Sequence, residues 1–568
     1  MRTSLRVGLL SVATLGSALL GSCAEIVDGC EYTGTCKDGG GAGGGSAGGS
    51  GGEAASGGVD NRGGAGGLPG AGGSSEGGMG GAGDGGAGGS GGEGGTPSVC
   101  DTTKSPSVEA CVATDAHAVF VAPTGSDKAD GTQLNPLKTI TQALAVAASS
   151  GKVVIACNGK FDEHVSLKSG ARIYGGFACP GENSPWTYQV AKRALVAPST
   201  AGLALEVRNI ADAVIIEDVE FDAADAATPG ASSIAAVIES SPNVALARVK
   251  LVAGKGAAGV DGVSGAKGAD GTLTSGQQQG APASCDTTLT TQPGGLWLAD
   301  STCGSHGGPG GIAQKSTAGT DGTFGTPQTN VVIPQNPDDL DNGGRKGAEG
   351  SDGNPGAPGL PGTAGQSLAD EGKFGATGFT PSAAAGSGTD GFPGQGGGGG
   401  GASNASGMCI GASGGAGGMG GCGGKPGTGG AGGGASVALI SWSSNITLDS
   451  CELSASDGGA GGKGGDGGLG GLGKDGATGG ASFVDTMNSI GKGGKGGPGG
   501  NGGAGGPGAG GNGGHSIALV VHGAVPLKLK TSKLSFGQSG TAGPGGTSGT
   551  LLGQSGKAGS TATQLAVP

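Results

Sequence analysis

The chain has 568 residues, of which 144 are Gly and only 16 are aromatic (3 Trp, 3 Tyr, 10 Phe), which excludes one ordinary globular core. Gly costs the most backbone entropy to order and brings no side chain to bury. A net charge of −13 argues against nucleic acid or an anionic membrane surface as partner, and a solvated acidic surface is the simpler reading.

In chain order, the first element is a targeting segment. Arg2 and Arg6 form a charged start, and Val7 to Leu20 form an apolar stretch too short to span a bilayer comfortably. It ends at Leu20-Gly21-Ser22-Cys23, which resembles a bacterial lipobox. That resemblance implies a lipoprotein signal peptide over 1–22 and lipidation of Cys23, with membrane attachment through the lipid. Ala24-Glu25 follow, not an Asp at the second place, so the resemblance points to the outer membrane or cell surface. An ordinary signal peptide cut nearby is the alternative. Residues 23–99 hold a Gly/Ser/Ala run without hydrophobic pattern, read as a flexible tether.

Strand-like sequence begins at Val119-Phe120-Val121-Ala122, and turn signals follow at Gly125-Ser126-Asp127, Asp130-Gly131 and Asn135-Pro136. Thr139 then opens a helical pattern over Ile140 to Ala148. Val119 to Asp127, Gly131-Thr132 and Asn135 to Ile140 with the Ala-rich helix resemble the start of pectin-lyase-like proteins. The resemblance implies an all-β, right-handed, single-stranded parallel β-helix whose open end the helix caps. It is nearly silent on function, because that fold hosts lyases, hydrolases, adhesins and inert scaffolds.

A short pattern then appears four times. Apolar residues stand at places one, three, six and eight in Val214, Ile216, Val219, Phe221; the same spacing returns at Val244, Leu246, Val249, Leu251 and at Ile446, Leu448, Cys451, Leu453. Leu527, Leu529, Ser532, Leu534 make the fourth copy. Alternation broken by a one-residue shift predicts two short strands with a bend between them. The first two copies are 30 residues apart, one coil of a parallel solenoid, and the later gaps are 202 and 81. The chain therefore divides into 100–253 (cap and first coils), a Gly-rich insertion over 254–434, a coil at 435–457, a second insertion at 458–514, a coil at 515–537 and a Gly-rich tail at 538–568. Each Gly-rich segment leaves after the second strand of a copy, which predicts that all emerge from one corner.

Within the insertions Gly recurs every third residue, as at 256, 259, 262, 265, 268 and 271. Disorder, side-by-side polyglycine-II-like helices and collagen all accommodate that period. The chain has 27 Pro, about 5%, well short of a collagen-like composition.

Twelve Cys fit an oxidising compartment. With Cys23 set aside, spacing suggests Cys30–Cys36, Cys100–Cys111, Cys157–Cys179, Cys285–Cys303 and Cys409–Cys422, with Cys451 left as a buried core thiol. The best local constellation for acid/base chemistry is Asp162-Glu163-His164, with Trp186 as a sugar-stacking candidate nearby. A solvated turn and a small local core are the simpler readings of these residues. Asp212, Glu217, Asp218, Glu220 and Asp222 form an acidic edge that could take calcium, but no carboxylate ladder repeats in the later copies. The glycosidase signatures of the resembled family (Asn-Thr-Asp, a coil Asp-Asp, Gly-His-Gly) are missing, and no other cofactor or metal motif is readable. The expected role is structural or adhesive contact with matrix polysaccharide or other cells. The alternative is a carbohydrate-active enzyme or glycan-binding module in the early coils.

Overall fold

The computed structural model describes residues 100–179, 185–272, 276–297, 302–332, 342–523 and 527–568. Two units divide the chain, Met1–Glu93 and Gly94–Pro568. The predicted signal peptide, Cys23, Cys30 and Cys36 lie outside the described residues.

The second unit is nearly all β, built on three long parallel sheets. The first contains Ala118–Val121, Val153–Cys157, Ala171–Ala178, Val214–Glu217, Val244–Ala247, Ile446–Asp449 and Leu527–Lys530. The second contains Lys160–Phe161, Ala194–Val196, Val219–Asp222, Lys250–Val252, Glu452–Ser454 and Lys533–Ser535. The third runs through Val165–Leu167, Leu205–Arg208, Ser233–Glu239, Ser436–Trp442, Ser516–His522 and Thr561–Val567. The chain visits the sheets in turn, so strands that neighbour each other in a sheet come from successive passes.

The four copies of the apolar pattern pair in register. Val214 pairs with Val244, Val244 with Ile446, and Ile446 with Leu527. Phe221, Leu251, Leu453 and Leu534 do the same in the second sheet. The one-residue shift in each copy is a bend in left-handed conformation at Asp218, Arg248, Ser450 and Thr531, with φ of 56°, 54°, 55° and 46°. One such residue reverses the facing of all that follow, so Val219, Val249 and Cys451 point back into the same core as Ile216, Leu246 and Leu448.

Among the described residues one α-helix, α1 (Ile140–Ser150), packs on this core. Thr139 caps it, accepting from the Gln142 amide at 3.2 Å, and Gly151 ends it at φ 67°. Ile140, Ala143 and Ala147 share one face and are buried against Val119, Val154 and Val165.

The Gly-rich segments lie side by side, joined by a hydrogen bond at every third residue. The amides of Gly256, Gly259, Gly262, Gly265, Gly268 and Gly271 donate to the carbonyls of Asp457, Ala460, Lys463, Asp466, Leu469 and Leu472. That series continues, without a slip, the bond from Ala253 N–H to the Ser454 carbonyl at the ends of paired strands. Gly458, Gly461 and Gly464 bond likewise to Gln538, Thr541 and Pro544. The three segments that leave after equivalent strands therefore run together, as the repeat predicts. At the centre, residues 411–434 exchange bonds with segments around 257–278, 388–400, 462–480 and 494–512. Contact is so close that a Cβ on Gly417 would sit 1.9 Å from the Gly397 carbonyl oxygen.

Proline has a specific place here. Along 353–362, Gly353, Gly356, Gly359 and Gly362 donate to one neighbour, while the Asn354, Ala357 and Leu360 amides donate elsewhere. The third position is Pro355, Pro358 and Pro361, each exposed. Pro has no N–H, so no donor is left unpaired on this outer edge. The Gly-Xaa-Pro pattern is thus accounted for within one chain, without a three-chain collagen helix.

Among the described residues the disulfides are Cys100–Cys111, Cys157–Cys179, Cys285–Cys409 and Cys303–Cys422, and Cys451 is free and buried. The last two correct the expected Cys285–Cys303 and Cys409–Cys422. The expectation failed because spacing favours short loops, whereas the array lays residues 119 and 124 apart against each other.

Candidate functional site

Asp162, Glu163 and His164 follow the short strand Lys160–Phe161, and each is held by a different structural bond. Asp162 accepts from the Ser199 amide at 2.6 Å, a contact that holds its carboxyl below the usual range. Glu163 accepts from the first amides of α1, Ile140 at 2.7 Å and Thr141 at 2.9 Å, and from the Thr141 hydroxyl at 2.6 Å. Those amides have no partner inside the helix, and a carboxylate also suits the positive end of the helix dipole. His164 donates from Nδ1 to the Leu203 carbonyl at 2.7 Å, and its Nε2 meets Thr200 Oγ1 at 2.9 Å. The three side chains bond to separate partners. They fasten α1 and the turn at Ser199 to Leu203.

Trp186 is likewise engaged. Its ring meets Phe120 edge-on at 4.8 Å and its Nε1 donates to the Gln133 carbonyl at 3.0 Å. Phe120, Ile155, Tyr174 and Phe177 form a small apolar cluster beneath it, beside the Cys157–Cys179 link. Burial, with the nearby Glu217 charge, pushes the Tyr174 hydroxyl up to about 12.

Three carboxylates of the acidic edge, Glu217, Asp218 and Glu220, are paired by the next pass of the chain. Arg248 donates from Nε to Asp218 Oδ1 at 2.7 Å, and from Nη2 to Asp218 Oδ2 at 2.9 Å and Glu217 Oε2 at 2.7 Å. Tyr188 and Ser105 add hydroxyl donors to Asp218 (2.8 Å) and Glu217 (2.7 Å). Lys250 meets Glu220 at 2.6 Å. Asp218 is 1% exposed, so its charge is tolerable only because it is fully paired. With Arg248 and Lys250 occupying them, Glu217, Asp218 and Glu220 are engaged in ion pairs within the protein. Among the described residues, Cys100, Glu109 and Cys111 also bring three ligand atoms together, but both sulfurs are spent in a disulfide. Sequence reading missed this charge network. Its signal was present as Asp218 and Arg248 at the same place in consecutive copies.

A groove of about 660 Å³ opens between α1 and the strand ends and connection at 166–172. Leu144, Ala148, Val154 and Leu167 line it, and Lys152, Lys168 and Arg172 stand around it with Asp212.

Residues 123–208 match a family described as "Protein of unknown function (DUF1565)". No curated protein matches the chain. Two solved structures match over 24% of it: GH136 lacto-N-biosidase from Eubacterium ramulus, as native protein at 13% identity and as selenomethionine derivative at 15%. The TM-scores are 0.16 and 0.15, and the chain spans only 27% and 26% of those proteins.

Proposed function

We propose that this protein is a non-catalytic surface scaffold. In this reading the three sheets are a right-handed parallel β-helix capped by α1. The Gly-rich segments are polyglycine-II-like helices packed along one edge, and Cys23 carries the lipid that holds the chain in a bacterial outer membrane. The observation that carries the non-catalytic reading is the consumption of Asp162, Glu163, His164, Glu217 and Asp218 in structural bonds. A general acid or base needs a carboxylate or imidazole free to reach a substrate proton. The mechanism is weak contact with matrix polysaccharide or neighbouring cells, multiplied along a stiff body.

The test incubates the full chain with acidic and neutral polysaccharides, counts new chain ends and measures polymer retained on the protein. No new ends, with retention, is the expected outcome. New ends that vanish in Asp162→Ala would overturn the scaffold reading and place an active site in the early coils. Radiolabelled palmitate incorporated by the natural chain but not by Cys23→Ser checks the anchor.

A further inference from the structure

We propose that the groove beside α1 binds a long-chain aliphatic carboxylate. Its volume, about 660 Å³, is within the span of small-molecule sites, roughly 300–1,000 Å³. The lining is aliphatic where it is apolar, with Leu144 and Ala148 from the helix and Leu167 from the end of the strand Val165–Leu167. No aromatic side chain lines it, so it offers no ring for a sugar to stack on. An extended acyl chain needs only such an aliphatic trough.

The charges around the groove point to an anionic head. Elsewhere Arg208, Arg248 and Lys250 each meet a carboxylate. Around the groove the cations meet neutral oxygens. Lys152 Nζ donates to the Asp115 carbonyl at 2.7 Å, Lys168 Nζ to Ser166 Oγ at 3.0 Å, and Arg172 Nη1 to the Thr102 carbonyl at 3.0 Å. Glu206, which accepts from the same Ser166 hydroxyl at 3.1 Å, is itself held by Arg208. Asp212 is the one carboxylate in the lining, so three cations face a single anion. In a chain of net charge −13, this is a local reversal of sign beside an apolar trough. A carboxylate lodged among Lys152, Lys168 and Arg172, with its chain along α1, satisfies both features.

Calorimetric titration of the full chain with monomeric dodecanoate tests the assignment. Saturable one-to-one binding is expected. Octanoate should bind at least tenfold more weakly, since each buried methylene contributes about fourfold. Dodecyltrimethylammonium, with the same chain and opposite charge, should also lose at least tenfold. The double variant Lys152→Glu/Lys168→Glu should lose at least tenfold. Ala148→Trp, an exposed position that fills the trough, should abolish binding while thermal stability is kept. Absence of saturation, equal binding of the cationic amphiphile, or undiminished binding by Ala148→Trp each overturns the proposal. Flotation with phosphatidylglycerol vesicles separates the sources. Capture that weakens in Ala148→Trp, without dodecanoate binding, would move the site to a lipid surface and overturn the free carboxylate.

Discussion

Arg248 and Asp218 occupy the same left-handed bend in consecutive passes of the chain, joined by two hydrogen bonds of 2.7 and 2.9 Å. A non-Gly residue with positive φ is strained by about 1 kcal/mol, and here two such residues are tied to each other. Glu217, Tyr188 and Ser105 complete the network, so the first residues after Cys100 and the 187–188 strand are pinned to the body at one point.

Removing Arg248 should therefore unfold this region more readily than its partial exposure suggests. Arg248→Met leaves Asp218 buried without a cation, with the Tyr188 hydroxyl still donating to it, and a loss of about 3 kcal/mol is expected in urea denaturation. The double variant Asp218→Ala/Arg248→Met should recover part of that loss, because no charge is then stranded. A single variant within about 0.5 kcal/mol of the natural chain would show that the network is ornamental.

Alkaline stability has a definite sign. Tyr174 is pushed up to about 12 in the folded protein against 10.0 in an unfolded chain. Below pH 10 the hydroxyl is neutral in both states. Between pH 10 and 12 the unfolded state loses the proton first, so stability falls as pH rises through that window. Tyr174→Phe should flatten the fall, read as the slope of melting temperature against pH from 10 to 12. An unchanged slope would show that Tyr174 does not drive it.

Much of this architecture was legible because it repeats. Alternating apolar residues with one shifted place encode two strands and a bend, and four copies exposed the pattern despite gaps of 202 and 81 residues. The corner from which the Gly-rich segments leave was readable for the same reason. Their internal packing was not, because Gly carries no side chain to mark its neighbours, and period three suits disorder, collagen and a packed array alike. The triad misled in a different way. Asp162, Glu163 and His164 are adjacent in sequence, but their partners Ser199, Ile140 and Leu203 are 37, 23 and 39 residues away. No local pattern reveals that a carboxylate caps a helix that distant.

The array should be brittle at its centre and tolerant at its edge. Gly417→Ala places a methyl 1.9 Å from the Gly397 oxygen, which backbone on both sides prevents from relaxing. A loss of at least about 3 kcal/mol is expected, at the upper end of overpacking costs. Pro358→Ala, on the exposed edge, should stay within about 0.5 kcal/mol. Hydrogen exchange can localise the effect: amides such as Gly308 and Gly421, which bond inside the array, should lose protection in Gly417→Ala and keep it in Pro358→Ala. Equal behaviour of the two variants would mean that the segments do not pack as described.

The disulfides offer the most direct check on that packing. Cys285 and Cys303 lie 124 and 119 residues before their partners Cys409 and Cys422, which bracket the start of the central segment. Digestion without reductant should yield peptides joining Cys285 to Cys409 and Cys303 to Cys422; fragments joining Cys285 to Cys303 would overturn the arrangement. Each link closes more than a hundred residues, for which chain entropy allows up to about 4.7 kcal/mol. Cys303→Ser should lose less than that, about 2–4 kcal/mol, because the segments it joins remain tied by backbone bonds. Cys451 supplies the internal control. Burial pushes its thiol up and hides it, so a maleimide should label it only after denaturant unfolds the strands around Leu448 and Leu453.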